Sequence, residues 1–404
     1  YFSDGMTEEI ISKLSRIQSL QVASRTSVTR YKGTQKDIKE IGRELGVRYL
    51  LEGSVRKASE RVRITVQLID STNGFHVWSQ DFDRELKDVF AVQEETALKI
   101  ALALNLALSP QEQQAVRQRY TDNPKAYDAF LRGKTLTEAF DIPEKLNAAR
   151  ALFEEALQHD SSYAPALAGL SMVESMYYRN LDPKESRRQR AEQLARRALT
   201  LDPAHSESHR ALAMVYGTRY QYVESERELR EAVRLDPENG LAWMQLAWAL
   251  SYQQPPDARE AEQAAREAIR LQPGMFSSYY QLGRALFLQQ RYQEAREAFE
   301  HAKTLNPQFS SPHIGLAQVH LAQGNYEQAL AELTQAGRAG TSTITAVQRA
   351  SVYAAKGDKE KALTELGKAL SLGYRDFAYL DSNPYLASLR SDPRYQQLIA
   401  RYRK

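Results

Sequence analysis

The sequence contains no cysteine in 404 residues. That excludes disulfides, thiolate nucleophiles and cysteine-ligated zinc. It also lacks a long apolar run. The longest, residues 97–108, is broken by Lys99 and Asn105 and is too short to span a bilayer. An excess of one charge is missing as well. Fifty-four Lys and Arg face 51 Asp and Glu, and a formal net charge of +3 over this length predicts no nucleic-acid or polyanion partner. No Gly-x-Ser-x-Gly, His-Glu-x-x-His, Walker-type loop or dinucleotide fingerprint occurs. The expectation is therefore a protein without cofactor or metal, leaning away from an enzyme. No signal peptide is visible, and because the first residue is Tyr1 an upstream segment is expected to be missing. A cytoplasmic location is the working expectation.

What is present is a period. Leu201-Asp202-Pro203, Leu235-Asp236-Pro237, Leu271-Gln272-Pro273 and Leu305-Asn306-Pro307 place prolines 34, 36 and 34 residues apart. A fixed spacing near 34 marks stacked helical hairpins rather than one closed core. The fifth unit shows the pattern best, with Tyr279, Leu282, Gly283, Leu286, Ala295, Phe299, Ala302 and Pro307. The third and fourth repeat it around Leu212-Ala213 and Leu246-Ala247, and Pro255-Pro256 accounts for two extra residues in the fourth. The sixth has Thr341 where the proline would fall, and the seventh is one residue shorter. Two divergent units precede these, with inserts of about six and eight residues. Small residues recur because helices approach closely only where side chains are short.

The first hundred residues follow another rule. Residues 7–17 and 37–45 have helical spacing, with Gly46 placed as a stop, and residues 20–24 read as a short strand. Val62, Ile64, Val66 and Leu68 alternate with polar residues, and Asn73-Gly74 supplies a tight turn. Residues 48–82 thus read as a three-stranded antiparallel meander, followed by a helix over residues 86–108. Ser109-Pro110-Gln111-Glu112 is a capping box that starts a connecting helix.

The segments Tyr1–Ile10, Leu50–Val55, Gln67–Asp70 and Trp78-Ser79 resemble the amino-terminal domain of TolB-like proteins. The repeats resemble the tetratricopeptide repeat (TPR). Together the resemblances imply an α+β amino-terminal domain (residues 1–108, its first strand missing) and a connecting helix (109–123). They further imply an all-α solenoid, a right-handed superhelix of seven hairpins (124–375), and capping helices (376–404). They also imply a setting: such segments lie beside a nucleotide cyclase, a Ser/Thr kinase or a winged-helix domain in bacterial regulators.

In TPR arrays the first helix of each hairpin lines the inner face. That register puts Arg210, Met214, Met244, Trp248, Tyr252, Tyr280, Arg284 and Phe287 on one surface. Aromatic, Met and Arg side chains suit a peptide-binding groove, although Trp248 and Tyr280 equally suit packing between helices. The expected partner is a protein or peptide segment, or a second copy of the chain. Another reading is the carboxyl-terminal part of a cyclase, kinase or transcription regulator; a hydrolase with paired acids in the groove is a third. Two further features read as structural. Residues 25–66 hold 11 Lys/Arg against 5 Asp/Glu, but Arg61 and Arg63 alternate like a solvated sheet face. His205 and His209 share a helix face without a third ligand at a suitable spacing.

Overall fold

The computed structural model describes residues 2–17, 19–23, 27–28, 31–58, 61–85, 88–117, 119–137, 143–338 and 343–403. The chain divides into two compact units, Tyr1–Thr218 with Arg230–Asn239 and Arg219–Leu229 with Gly240–Lys404.

The first unit opens with α1 (Phe2–Leu14) and α2 (Ile38–Leu45), then β1 (Tyr49–Ala58), β2 (Arg61–Asp70) and β3 (Phe75–Glu85), and α3 (Val89–Ala103). The strands form an antiparallel meander in the order β1-β2-β3, with a register shift at Leu68/Ile69. Asp37 caps α2 by accepting from the Lys39 amide, and Gly46 ends it in the left-handed region at φ 65°, which glycine adopts at little cost. Gly74, at φ 83°, turns β2 into β3. The buried face of β2 (Val62, Ile64, Val66) packs with Phe2 and Met6 of α1, Phe90 of α3, and Tyr127 and Leu131 further on. This burial begins α1 at Phe2, earlier than the spacing alone suggests.

Two expectations are corrected here. Among the described residues, 20–23 pair with no strand, and Ser24 lies outside them. Leu20 and Val22 instead rest side-on against the cluster of Ile10, Leu14 and Ile17, so their alternation reflects packing without a hydrogen-bonded ladder. The helix expected to reach residue 108 stops at Ala103, because Asn105 turns left-handed at φ 55°, a conformation Asn tolerates. Its expected start, Leu86, lies outside the described residues. The capping box is present: the Glu112 carboxylate accepts from the Ser109 amide and hydroxyl, both 2.8 Å, and the Glu112 amide donates to Ser109 Oγ.

Beyond α4 (Pro110–Arg117) the chain is helical. The first unit holds α5 (Pro124–Thr137), α6 (Pro143–His159), α7 (Ala164–Asn180), α8 (Glu185–Leu201) and α9 (Ser206–Thr218). α5 pairs with α6 and α7 with α8, while α9 packs on both α7 and α8. Helix α10 (Tyr222–Leu235) is shared by the two units. The second unit continues with α11 (Gly240–Tyr252), α12 (Ala258–Leu271), α13 (Phe276–Leu288), α14 (Tyr292–Leu305), α15 (Ser310–Ala322), α16 (Tyr326–Arg338), α17 (Thr343–Ala355) and α18 (Lys359–Ser371), in four consecutive hairpins. Thr341 lies outside the described residues.

The Leu-x-Pro tripeptides end second helices for a steric reason. Asp202, Gln272 and Asn306 sit at φ between −145° and −137° with ψ of 75° to 95°, because the following proline ring disfavours the helical region. Close approach is equally visible. A Cβ on Gly283 or Gly315 would lie 2.6 and 2.5 Å from the Phe299 ring, and Phe153 sits likewise between Gly133 and Gly169.

The tail forms α19 (Phe377–Ser382), a 3-10 turn (Pro384–Leu389) and α20 (Pro393–Tyr402). Leu380, Leu386 and Leu389 are fully buried against Val347 and Ala350 of α17 and Leu366 of α18.

Candidate functional site

Of the eight candidates, Arg210 and Met214 belong to the first unit, and the other six to the second. Arg210 is buried and engaged. Its Nε donates to Glu207 at 2.9 Å, and its Nη2 lies 3.2 Å from the Met172 sulfur. Asn239 donates to the other Glu207 oxygen at 2.7 Å. Burial pushes the Glu207 carboxyl up, but Arg210, Lys134 and Asn239 hold it below its ordinary value. Met214 is half-buried on the same helix.

In the second unit the rings converge. Trp248 and Tyr252 of α11 and Tyr222 of α10 form a triangle with centroids 5.4 to 5.7 Å apart. The Arg284 guanidinium lies 3.6 Å above the Tyr252 ring, close enough for a strong cation–π contact. Its only further bond among the described residues is a long one, 3.5 Å to the Ser251 carbonyl, and Nε has no acceptor. Arg284 is 7% exposed. A buried cation without a bonded carboxylate is uncommon, since desolvation is costly. Tyr280 packs on Phe299 and Phe287 on Tyr292, each at 5.6 Å; burial drives the Tyr280 hydroxyl far above its usual range. Met244 is half-buried.

The tail reaches the same surface. Tyr222 Oη donates to Asp376 Oδ2 at 3.4 Å. Gln348 donates to Tyr379 Oη at 3.0 Å, and Asn383 to Ser351 Oγ at 3.0 Å. Asp376 also caps α19 through the Tyr379 amide at 2.9 Å. Burial pushes its carboxyl up, with Tyr379, Tyr222 and Arg284 opposing. By the repeat spacing, Trp248, Arg284, Gln318 and Ser351 occupy equivalent positions of four successive first helices, 36, 34 and 33 residues apart. Sequence reasoning missed Tyr222, which is on a second helix, and Asp376 and Tyr379, which are outside the period.

The other candidates resolve into ordinary contacts. Arg61 and Arg63 both bind Asp83, at 2.6 and 2.9 Å. His205 Nδ1 meets Ser208 Oγ at 2.8 Å, and His209 Nε2 meets the Pro203 carbonyl at 2.9 Å. Glu94 pairs with Arg119 and Glu154 with Arg190. Glu174, 1% exposed, is held by Arg187 at 2.9 Å and Arg190 at 3.2 Å. A small cavity in the first unit is lined by Glu9, Phe90, Gln93, Tyr120, Tyr163 and Lys13, which donates to the Val116 carbonyl at 2.7 Å. Among the described residues no helix is long and apolar enough to cross a membrane.

Two tetratricopeptide-repeat family models match residues 246–308 and 286–350, across the hairpins that carry Trp248, Tyr280 and Arg284. The chain carries TPR units. Residues 2–99 match a third model, the second domain of HilA/YgeH-like transcriptional regulators. A relative from Rhizobium meliloti, named putative adenylate cyclase 3, is 43% identical over 173 residues, 43% of this chain and 29% of that protein. The aligned stretch thus spans under a third of the relative's length. Among solved structures, a TPR protein from Parabacteroides merdae is similar at 14% identity, covering 64% of this chain and 96% of its own, with a TM-score of 0.46. Pseudomonas aeruginosa PilF is similar at 20% identity, covering 59% and 99%, with a TM-score of 0.38.

Proposed function

We propose that this chain is a regulatory interaction scaffold that binds a protein or peptide segment on the face formed by its first helices. The observation that carries this reading is the patch of Tyr222, Trp248, Tyr252, Tyr280 and Arg284. Half-buried aromatic rings beside an incompletely bonded guanidinium make a surface of the kind partners use as anchors. Met244 and Phe287 extend the patch, and Arg210 and Met214 are the corresponding contacts in the first unit. The scaffold acts in the cytoplasm and carries no cofactor.

A peptide library displayed on phage and selected on the full chain tests this. Enriched peptides should bind the Trp248→Ala chain at least tenfold more weakly than wild type, a loss of about 1.4 kcal/mol or more. Peptides that bind both chains equally would remove the patch from the interface.

A second reading follows from the match to the putative adenylate cyclase. In it, this chain is the sensing part of a regulator that also has a cyclase or transcriptional effector. Joining it to such an effector and adding the selected peptide should change the effector's output; an unchanged output refutes the coupling.

A further inference from the structure

The tail does more than close the last hairpin. Leu386 and Leu389 are seated on α17 and α18, as a cap requires. Asp376, however, bonds to Tyr222, 154 residues earlier in sequence and four hairpins back. Between these points Tyr379 meets Gln348, and Asn383 bonds to Ser351, which is the repeat equivalent of Arg284. The tail therefore lies along the proposed ligand-binding face.

Its fit there is incomplete. The Tyr222–Asp376 bond is long at 3.4 Å, and Asp376 is not bonded to Arg284, whose Nε stays without an acceptor. An acidic ligand able to reach that guanidinium would gain a charge-assisted bond that the seated segment lacks. The tail's own sequence over this stretch is Tyr374-Arg375-Asp376-Phe377-Ala378-Tyr379-Leu380, an acidic residue followed three positions later by an aromatic one.

Resting on the scaffold reading, we propose that residues 376–379 are a built-in occupant of the first-helix face. The external partner presents a segment of the same chemistry, acidic then aromatic, and binds by displacing it. The cap residues Leu380, Leu386 and Leu389 stay in place, so displacement frees the Asp376–Tyr379 end while the last hairpin remains closed.

The probe is a fluorescein-labelled synthetic peptide of residues 374–386, titrated by anisotropy into full-length chains. Asp376→Ala/Tyr379→Ala should bind it at least tenfold more tightly than wild type, because the internal competitor is weakened. Adding Arg284→Met should abolish that gain. Equal affinity for wild type and the folded double variant overturns the proposal. Hydrogen exchange of the wild-type chain supplies a second measurement that needs no variant. Amides of 376–379 should exchange faster than those of α17 and α18, which reports local release; exchange in step with those helices overturns it. Library peptides that bind the Asp376→Ala/Tyr379→Ala chain no better than wild type, yet still lose affinity in Trp248→Ala, sink this inference and leave the scaffold reading standing.

Discussion

Gly315→Ala is a substitution on which two physical effects disagree in sign. Gly315 is inside α15, where Ala is favoured over Gly by about 1 kcal/mol. Against that, the new Cβ would sit 2.5 Å from the Phe299 ring. The ring has little room to yield, since it also lies close to the backbone of Gly283 and Phe299 is 0% exposed. Overpacking of a core typically costs about 1–3 kcal/mol, and a fully buried ring close to two glycines belongs at the upper end. The net expectation is a loss of about 2 kcal/mol, equivalent to about 4–8 °C in the melting temperature of a domain this size. Gly337→Ala is the control. There the added Cβ meets only Arg349 Nη2 at 3.5 Å, an ordinary contact, so propensity dominates; a gain of about 0.5–1 kcal/mol follows. Far-UV circular dichroism melts read both, and hydrogen exchange over α14 and α15 localises the loss. Phe299→Leu, costly alone, should relieve Gly315→Ala in a double-mutant cycle. A Gly315→Ala melt at or above wild type, or no relief in the cycle, refutes the reasoning.

Other outcomes are expected elsewhere in the chain. Replacing both Arg187 and Arg190 with Met strands the Glu174 carboxylate in the second hairpin, and chemical denaturation should show a loss of about 3–5 kcal/mol; Glu174→Gln, which keeps the shape, should cost only about 1–2 kcal/mol. Burial pushes the His205 imidazole down to about 4, with Glu207 and Asp202 opposing. A depressed histidine favours the neutral form in the fold, so its contribution is whole above about 6.5 and falls away as pH drops toward 4. His205→Asn should flatten that part of the stability profile, and an unchanged profile assigns the acid sensitivity to other groups. Tyr127→Phe leaves the buried Gln93 amide without its 3.0 Å acceptor, and a loss of about 1–2 kcal/mol in denaturant melts is expected.

What the sequence made legible was local or periodic. The Leu-x-Pro spacing located the second-helix ends because a proline acts on the residue just before it, as Gln272 and Asn306 show. Gly46, Asn73-Gly74 and the Ser109/Glu112 box were readable because caps and turns are settled within four residues. The small residues opposite Phe299 were readable because each repeat touches mainly its neighbours. The residues at 20–23 misled, since half-buried alternation looks the same whether or not a strand lies alongside. The meeting of Asp376 with Tyr222 left no trace, because a contact between a periodic and an aperiodic segment repeats nowhere. Trp248 and Tyr280 suit both groove and packing by sequence; each ring packs on an aromatic neighbour and is partly buried.

The shared interior of the sheet and the first hairpin decides where this polypeptide can be dissected. Leu131 and Tyr127 of α5 are seated among Phe2, Met6, Val62 and Phe90, and Gly5 lets the backbone of α1 come down onto Leu131. Scissors placed at residue 109 or 124 would bisect one oily nucleus, and both fragments would emerge with raw apolar faces that clump. An amino-terminal fragment meant to stay in solution must keep α5 and α6, whatever the repeat count says.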